Sequence, residues 1–146
     1  MTTVTAPPTT YYYTVNNPDD PDAVDMTKVR QAEFLVIERA MPEDEDFFDV
    51  ASARFALSTG VSKTRAGDLF ATLEQLHDLP QLDALQHQLF HLDLYRLITI
   101  TKALAGLERK HLPRVDEHLT DYLTPQAPNQ DLPSAQKIKN KIKAIR

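Results

Sequence analysis

The sequence has no cysteine, no tryptophan and only three glycines among its 146 residues. Without cysteine there is neither a disulfide framework nor a thiolate zinc site, which fits a reducing cytoplasm. Three glycines are too few for a turn-rich β-sandwich or barrel. No apolar run approaches membrane-spanning length, and the N-terminus lacks the basic-then-apolar layout of a signal peptide. No glycine-rich phosphate loop occurs, and Ser52, Ser58 and Ser62 lack the strand–turn context of a nucleophile elbow. These absences point to a cytoplasmic, non-membrane protein without catalytic residues or cofactor.

Charge is present but unevenly placed. Residues 1–49 carry eleven acids and three bases, whereas residues 50–146 carry ten acids and thirteen bases. The formal net charge of −5 therefore conceals an acidic leading part and a mildly basic remainder. An overall repulsion argument against nucleic acid is weakened by that polarity, although it does not by itself establish a phosphate-binding face.

Residues 1–24 are rich in Thr, Pro, Asn and Asp with no helical period, so they read as an extended tail. Tyr11, Tyr12 and Tyr13 give that tail a large amphipathic contact area, expected to dock on the same chain or on a neighbouring copy as a homodimer. Residues 25–146 read as one helical domain. Asp25 or Thr27 is placed to cap a first helix ending near Ala40. Pro42 suits the first turn of a second, with Glu43 to Asp46 at its positive dipole end and Phe47, Val50, Ala51, Phe55 and Leu57 inward. Ser62 caps a third helix, whose Ala66, Leu69, Phe70, Leu73 and Leu76 share one face. Pro80 starts a fourth. The segment 92–106 is apolar nearly all round and is expected to be the central, enclosed helix, with a strand as the alternative because of Ile98 to Thr101. A sixth helix buries Leu112, Val115, Leu119 and Tyr122. The last starts near Pro133-Ser134, with Ile138, Ile142 and Ile145 on one face and Lys137, Lys139, Lys141, Lys143 and Arg146 on the others. It runs to the end of the chain without a capping signal, as in a fragment of a longer protein. The expected fold is thus all-α, a bundle of about seven helices.

The segment 49–76 has the layout of a helix-turn-helix: helix, tight turn at Gly60-Val61-Ser62, second helix, with Ala56 where the two would touch. The start of the second helix offers Lys63, Thr64 and Arg65 to duplex DNA, with Asp68 nearby. A tight corner inside any helical bundle also favours a glycine and a serine cap, so both readings stand. The terminal lysines are a second candidate for phosphate contact, set against the plain reading of a solvated face.

Ala56-Leu57-Ser58-Thr59-Gly60-Val61-Ser62, followed by Thr64-Arg65-Ala66, resembles the best-marked motif of an actinobacterial domain of unknown function found ahead of HNH endonuclease domains. That family includes the mycobacterial 13E12 repeat proteins. Ala103-Leu104-Ala105-Gly106-Leu107 and Leu132-Pro133-Ser134-Ala135-Gln136 resemble two later blocks of it, so the resemblance covers roughly residues 28–146. The family usually has a Gly-Arg pair before its central helix, where this chain has Leu89-Phe90-His91. The resemblance implies a non-catalytic accessory domain of a nuclease-like protein and brings no catalytic residues.

Two histidine spacings suit metal ligation. His87 and His91 are four apart, and Glu108 precedes His111 by three. Gln88 stands where a catalytic glutamate would follow His87, no second Glu-x-x-His occurs, and a helix break near His91 would separate the first pair. No metal site is therefore expected from these spacings. The competing class of function is a protein-interaction or self-association module that does not touch nucleic acid.

Overall fold

A cap and a proline set where the first helix starts. In the computed structural model, which describes residues 11–146, Asp20 accepts the N–H of Asp22 and Pro21 occupies the first helical position, so α1 runs Pro21–Ala40. It begins five residues earlier than a cap at Asp25 would set, because the Asp20-Pro21 pair caps better than Asp25. Thr27, the other expected cap, instead bonds back to Ala23 O. The chain continues with α2 (Phe48–Thr59), α3 (Lys63–His77), α4 (Pro80–Leu89), α5 (Leu94–Ala103), α6 (Leu112–Tyr122) and α7 (Ala135–Ile145). No strand occurs among the described residues, so the segment 92–106 is helical in its middle and the strand alternative falls away. None of the helices is long and apolar enough to cross a membrane.

Pro42 does not open α2. The Asp44 side chain accepts the N–H of Asp46, and a short 3-10 turn, Glu45–Phe47, precedes the helix. That turn rotates α2 away from its expected register. Ser52 and Phe55 are buried, whereas Phe47, Val50 and Leu57 are exposed, Leu57 to 89 %.

The enclosed helix is α3 rather than the segment 92–106. Ala66, Leu69, Phe70, Thr72, Leu73 and Leu76 are all buried, and α3 packs against α1, α2, α4 and α5. The Phe70 ring receives Phe48 and Phe55 edge-on, with centroids 5.9 and 5.5 Å away. By contrast, α5 buries only Leu97 and Ile100, and its Tyr95 is 71 % exposed. From α3 the packing closes into a ring: α5 on α7, α7 on α6, α6 on α4, α4 back on α3.

Asp116 of α6 fastens that ring. It is 1 % exposed, and its two carboxylate oxygens each accept an N–H from α4, Gln81 and Leu82, both at 2.9 Å. Leu79, the residue in the cap position of α4, has no side-chain acceptor to offer. A neighbouring helix therefore supplies the cap, and Thr120 Oγ1 donates to the same carboxylate.

The described part of the tail docks on its own domain, and residues 1–10 lie outside the described residues. Tyr13 is fully buried and stacks on His91 with centroids 5.4 Å apart. Thr14 N donates to Gln130 O and Gln130 N to Tyr12 O, which pins the tail to the loop before α7. Tyr13 is therefore spent within the chain. Tyr12 is half-buried, and of the three Tyr11 is the exposed one.

His91 is 1 % exposed, and its Nε2 donates to Leu123 O, which leaves Nδ1 as a bare acceptor without a partner. Burial, helped by the positive charges of Arg30 and Arg96 and opposed by the Leu123 bond, pushes its pKa down to about 4. Burial and the nearby Tyr122 push the Tyr13 hydroxyl up to about 12. His91 is neutral in the fold and takes up a proton more readily when unfolded. Its contribution is fully present above pH 6.5 and is lost as pH falls toward 4, on the order of 3 kcal/mol in all. His87 acts in the opposite sense, because its pKa is raised, so that lowering the pH favours the fold there. Urea unfolding at successive pH values should show the loss, and His91→Gln should flatten it. An unchanged acid limb in that variant would locate the titration elsewhere.

Candidate nucleic-acid interface

The corner forms as its residue types require. Gly60 takes φ +83°, which ends α2 in the left-handed conformation, and its N–H bonds to Ala56 O. Ser62 Oγ then accepts the N–H of Arg65 at 3.0 Å and opens α3. Where α3 passes α2, a Cβ added at Gly67 would make ordinary van der Waals contact with the Phe48 ring at 3.5 Å. Lys63, Thr64 and Arg65 are exposed at the start of α3, as a reading helix needs. Their charge is thinner than their number. Lys63 Nζ sits 2.7 Å from Asp49 Oδ1, and this exposed pair contributes little stability while halving the free positive charge of the corner. Arg65 has no carboxylate partner among the described residues.

The terminal helix presents a different electrostatic face. Ser134 caps it by accepting the N–H of Lys137, and Ile138, Ile142 and Ile145 enter the core. Packing the isoleucines inward obliges Lys137, Lys139 and Lys143 outward, and all three are exposed. Lys141 is half-buried, with its ammonium 5.3 Å from the centre of the Tyr122 ring. None of the four has a carboxylate partner among the described residues. Between α5 and α7 runs a groove of about 320 Å³ lined by Tyr95, Thr99, Lys102, Gln136 and Lys139 among others. Exposed Tyr95 and Lys102 thus share this groove with Lys139 of α7, an aromatic surface next to two cations. Apolar periodicity assigns Tyr95 to an enclosed helix and gives no sign of this face. The polar Thr99 and Lys102, four and seven residues after Tyr95, are the signal that marks it.

The expected histidine pairs separate. Phe90, in the left-handed region at φ 47°, ends α4 between His87 and His91 and turns the two rings apart. His87 Nε2 lies 2.8 Å from Glu38 Oε2, and its Nδ1 lies 2.8 Å from Asp83 O, while His91 points into the core toward Leu123. Burial lowers the His87 pKa, but the bonds and charges of Asp83 and Glu38 outweigh it and the net shift is upward. The Asp83 carboxyl is raised by burial, against the opposing pull of His87 and His77. Glu108 and His111 gather no third ligating side chain among the described residues, and Glu108 pairs with Lys110 at 3.4 Å.

The corner also yields a direct test of its structural role. A Cβ at Gly60 meets nothing within 4 Å, so Gly60→Ala should cost only the left-handed backbone term, about 1–2 kcal/mol, measured by urea unfolding. A larger loss would mean that the turn geometry itself is coupled to the core. No protein-family model, no curated protein and no solved structure matches this chain.

Proposed function

We propose that this chain is a non-catalytic helical domain that contacts duplex DNA, the accessory domain of an HNH-endonuclease-like protein. The observation that carries the reading is the terminal helix: four lysines with no acid among them, three of them directed outward by a buried isoleucine stripe, with Lys139 beside Tyr95 and Lys102 of α5. Lys63, Thr64 and Arg65 contribute from the corner as secondary contacts. The resemblance of short motifs to those of the HNH-associated domain supplies the rest of the reading.

Contact with about four phosphates corresponds to a log–log salt slope of roughly −3.6 and to weak, sequence-independent affinity. Titrating a labelled duplex at low salt should therefore give binding that weakens steeply as salt rises. Replacing Lys137, Lys139 and Lys143 by alanine together should remove most of that slope, and Lys63→Ala with Arg65→Ala should reduce it by less. No binding at low salt, or binding indifferent to the α7 substitutions, would overturn the proposal.

A specific observation also favours a second reading, a protein-interaction or self-association module. Phe47, Val50 and Leu57 stand exposed on the outer side of α2 and its preceding turn, which is unusual for side chains of this size. On this reading, sedimentation should show a dimer that Val50→Asp with Leu57→Asp returns to monomer. A monomer at every concentration would remove the self-association form of the idea.

A further inference from the structure

Three helices bring one imidazole and two carboxylates together at a single point. Glu38 lies in the last turn of α1, His77 is the last residue of α3, and Asp83 lies in the first turn of α4. One ligand atom from each lies within 4.8 Å of the others. The cluster shares no residue with the α5–α7 groove, so its chemistry is independent of any contact with DNA.

We propose that Glu38, His77 and Asp83 bind one divalent transition-metal ion, Zn²⁺ by preference, with His87 holding the Glu38 carboxylate in place. Donors about 2.0–2.1 Å from a tetrahedral ion stand about 3.3 Å apart, so no pair has to close by more than about 1.5 Å. Glu38 and Asp83 are half-buried and His77 is exposed, which leaves their rotamers room for that adjustment. A mixed nitrogen and oxygen set suits a borderline ion such as Zn²⁺ or Co²⁺, whereas Mg²⁺ and Ca²⁺ favour oxygen alone.

Three further observations point to a cation. Asp83 Oδ1 is closed off from solvent, and its neighbour His87 Nδ1, 3.1 Å away, makes its shorter bond, 2.8 Å, to the Asp83 backbone oxygen. A bound ion would satisfy this oxygen. The C-terminal ends of α1 and α3 add partial negative charge here, against the single N-terminal end of α4. His87 bridges Glu38 Oε2 and the Asp83 backbone and is held edge-on by Phe34 at 5.1 Å, the kind of support that orients metal-ligating carboxylates. Glu38 and His77 also line a groove of about 450 Å³ containing Met41, Phe48 and Phe70. Three protein ligands leave a coordination position open, and that groove gives small molecules access to it.

The test uses the untagged full chain, stripped with chelator, and titrates it with zinc chloride by calorimetry while following the imidazole ring signals by NMR. Expected are one Zn²⁺ per chain, movement of the His77 signals ahead of those of His118, and no displacement by excess Mg²⁺. His77→Ala and Asp83→Asn, checked for helicity by circular dichroism, should each weaken uptake by at least about tenfold. His118→Ala, an exposed position on α6, should leave it unchanged. Absence of saturable one-to-one uptake would overturn the proposal. So would uptake unaltered in both variants, or signals that move first at His118.

Discussion

The guanidinium of Arg30 is the contact on which the assembly of the N-terminal half depends. Its Nε donates to Phe90 O at 2.7 Å, and its Nη2 reaches Val15 O, Thr27 Oγ1 and Asn16 Oδ1 at 2.9, 2.9 and 3.3 Å. A single half-buried side chain thus joins the tail, α1 and the corner between α4 and α5. Burial depresses its pKa, yet a guanidinium keeps its charge and its planar fork of donors, which is why lysine is no substitute here. The Asn16 amide donates to Leu89 O and reinforces the same junction. Phe90 is the chain's one non-glycine residue at positive φ among the described residues, and the Arg30 bond to its carbonyl helps to hold that strained backbone.

That junction determines what else is buried. With the tail held down by Arg30 and Asn16, Tyr13 covers His91, and the loop at Gln130 is tied to Tyr12 and Thr14. The loop leads directly into Ser134, the cap of α7. The tail, although first in sequence, therefore constrains the helix that comes last. Arg96 adds to this by donating to Pro133 O while paired with Asp93, the cap of α5. The position of Lys139 beside the α5 face follows from these loop contacts as much as from the isoleucine stripe.

Much of the fold was legible because its signals are local. Ser62 caps the helix it was expected to cap, α7 opens beside Ser134 as expected, Gly60 makes the left-handed turn, and the 138, 142, 145 stripe is buried as its spacing requires. The errors share a cause: they concern competition between neighbours that single-residue patterns do not weigh. Asp20-Pro21 outcompetes Asp25, the Asp44 turn displaces Pro42 as the opening of α2, and the most apolar segment proves less enclosed than α3. Enclosure depends on how many helices surround an element, which periodicity cannot express. The histidine–carboxylate cluster was illegible for the same reason, since residues 38, 77 and 83 have no motif spacing and meet only when three helix ends converge. Asp116 belongs with them, since its role as a cap for another helix exists only in three dimensions.

Charge is distributed over the molecule in a way that the net value of −5 hides. The corner, where the sequence motif is strongest, carries one base paired with Asp49 and one base without a carboxylate partner. The terminal helix carries four lysines without such partners among the described residues, with Lys102 facing Lys139 across a groove. Because phosphate affinity scales with the number of cations engaged, geometry at the corner cannot compensate for the charge it lacks. A glycine turn and a serine cap are also what a helical corner needs merely to fold. The corner is therefore best understood as the device that delivers α3 to the centre of the bundle. Contact with nucleic acid, on the proposed reading, falls to the helix at the other end of the chain.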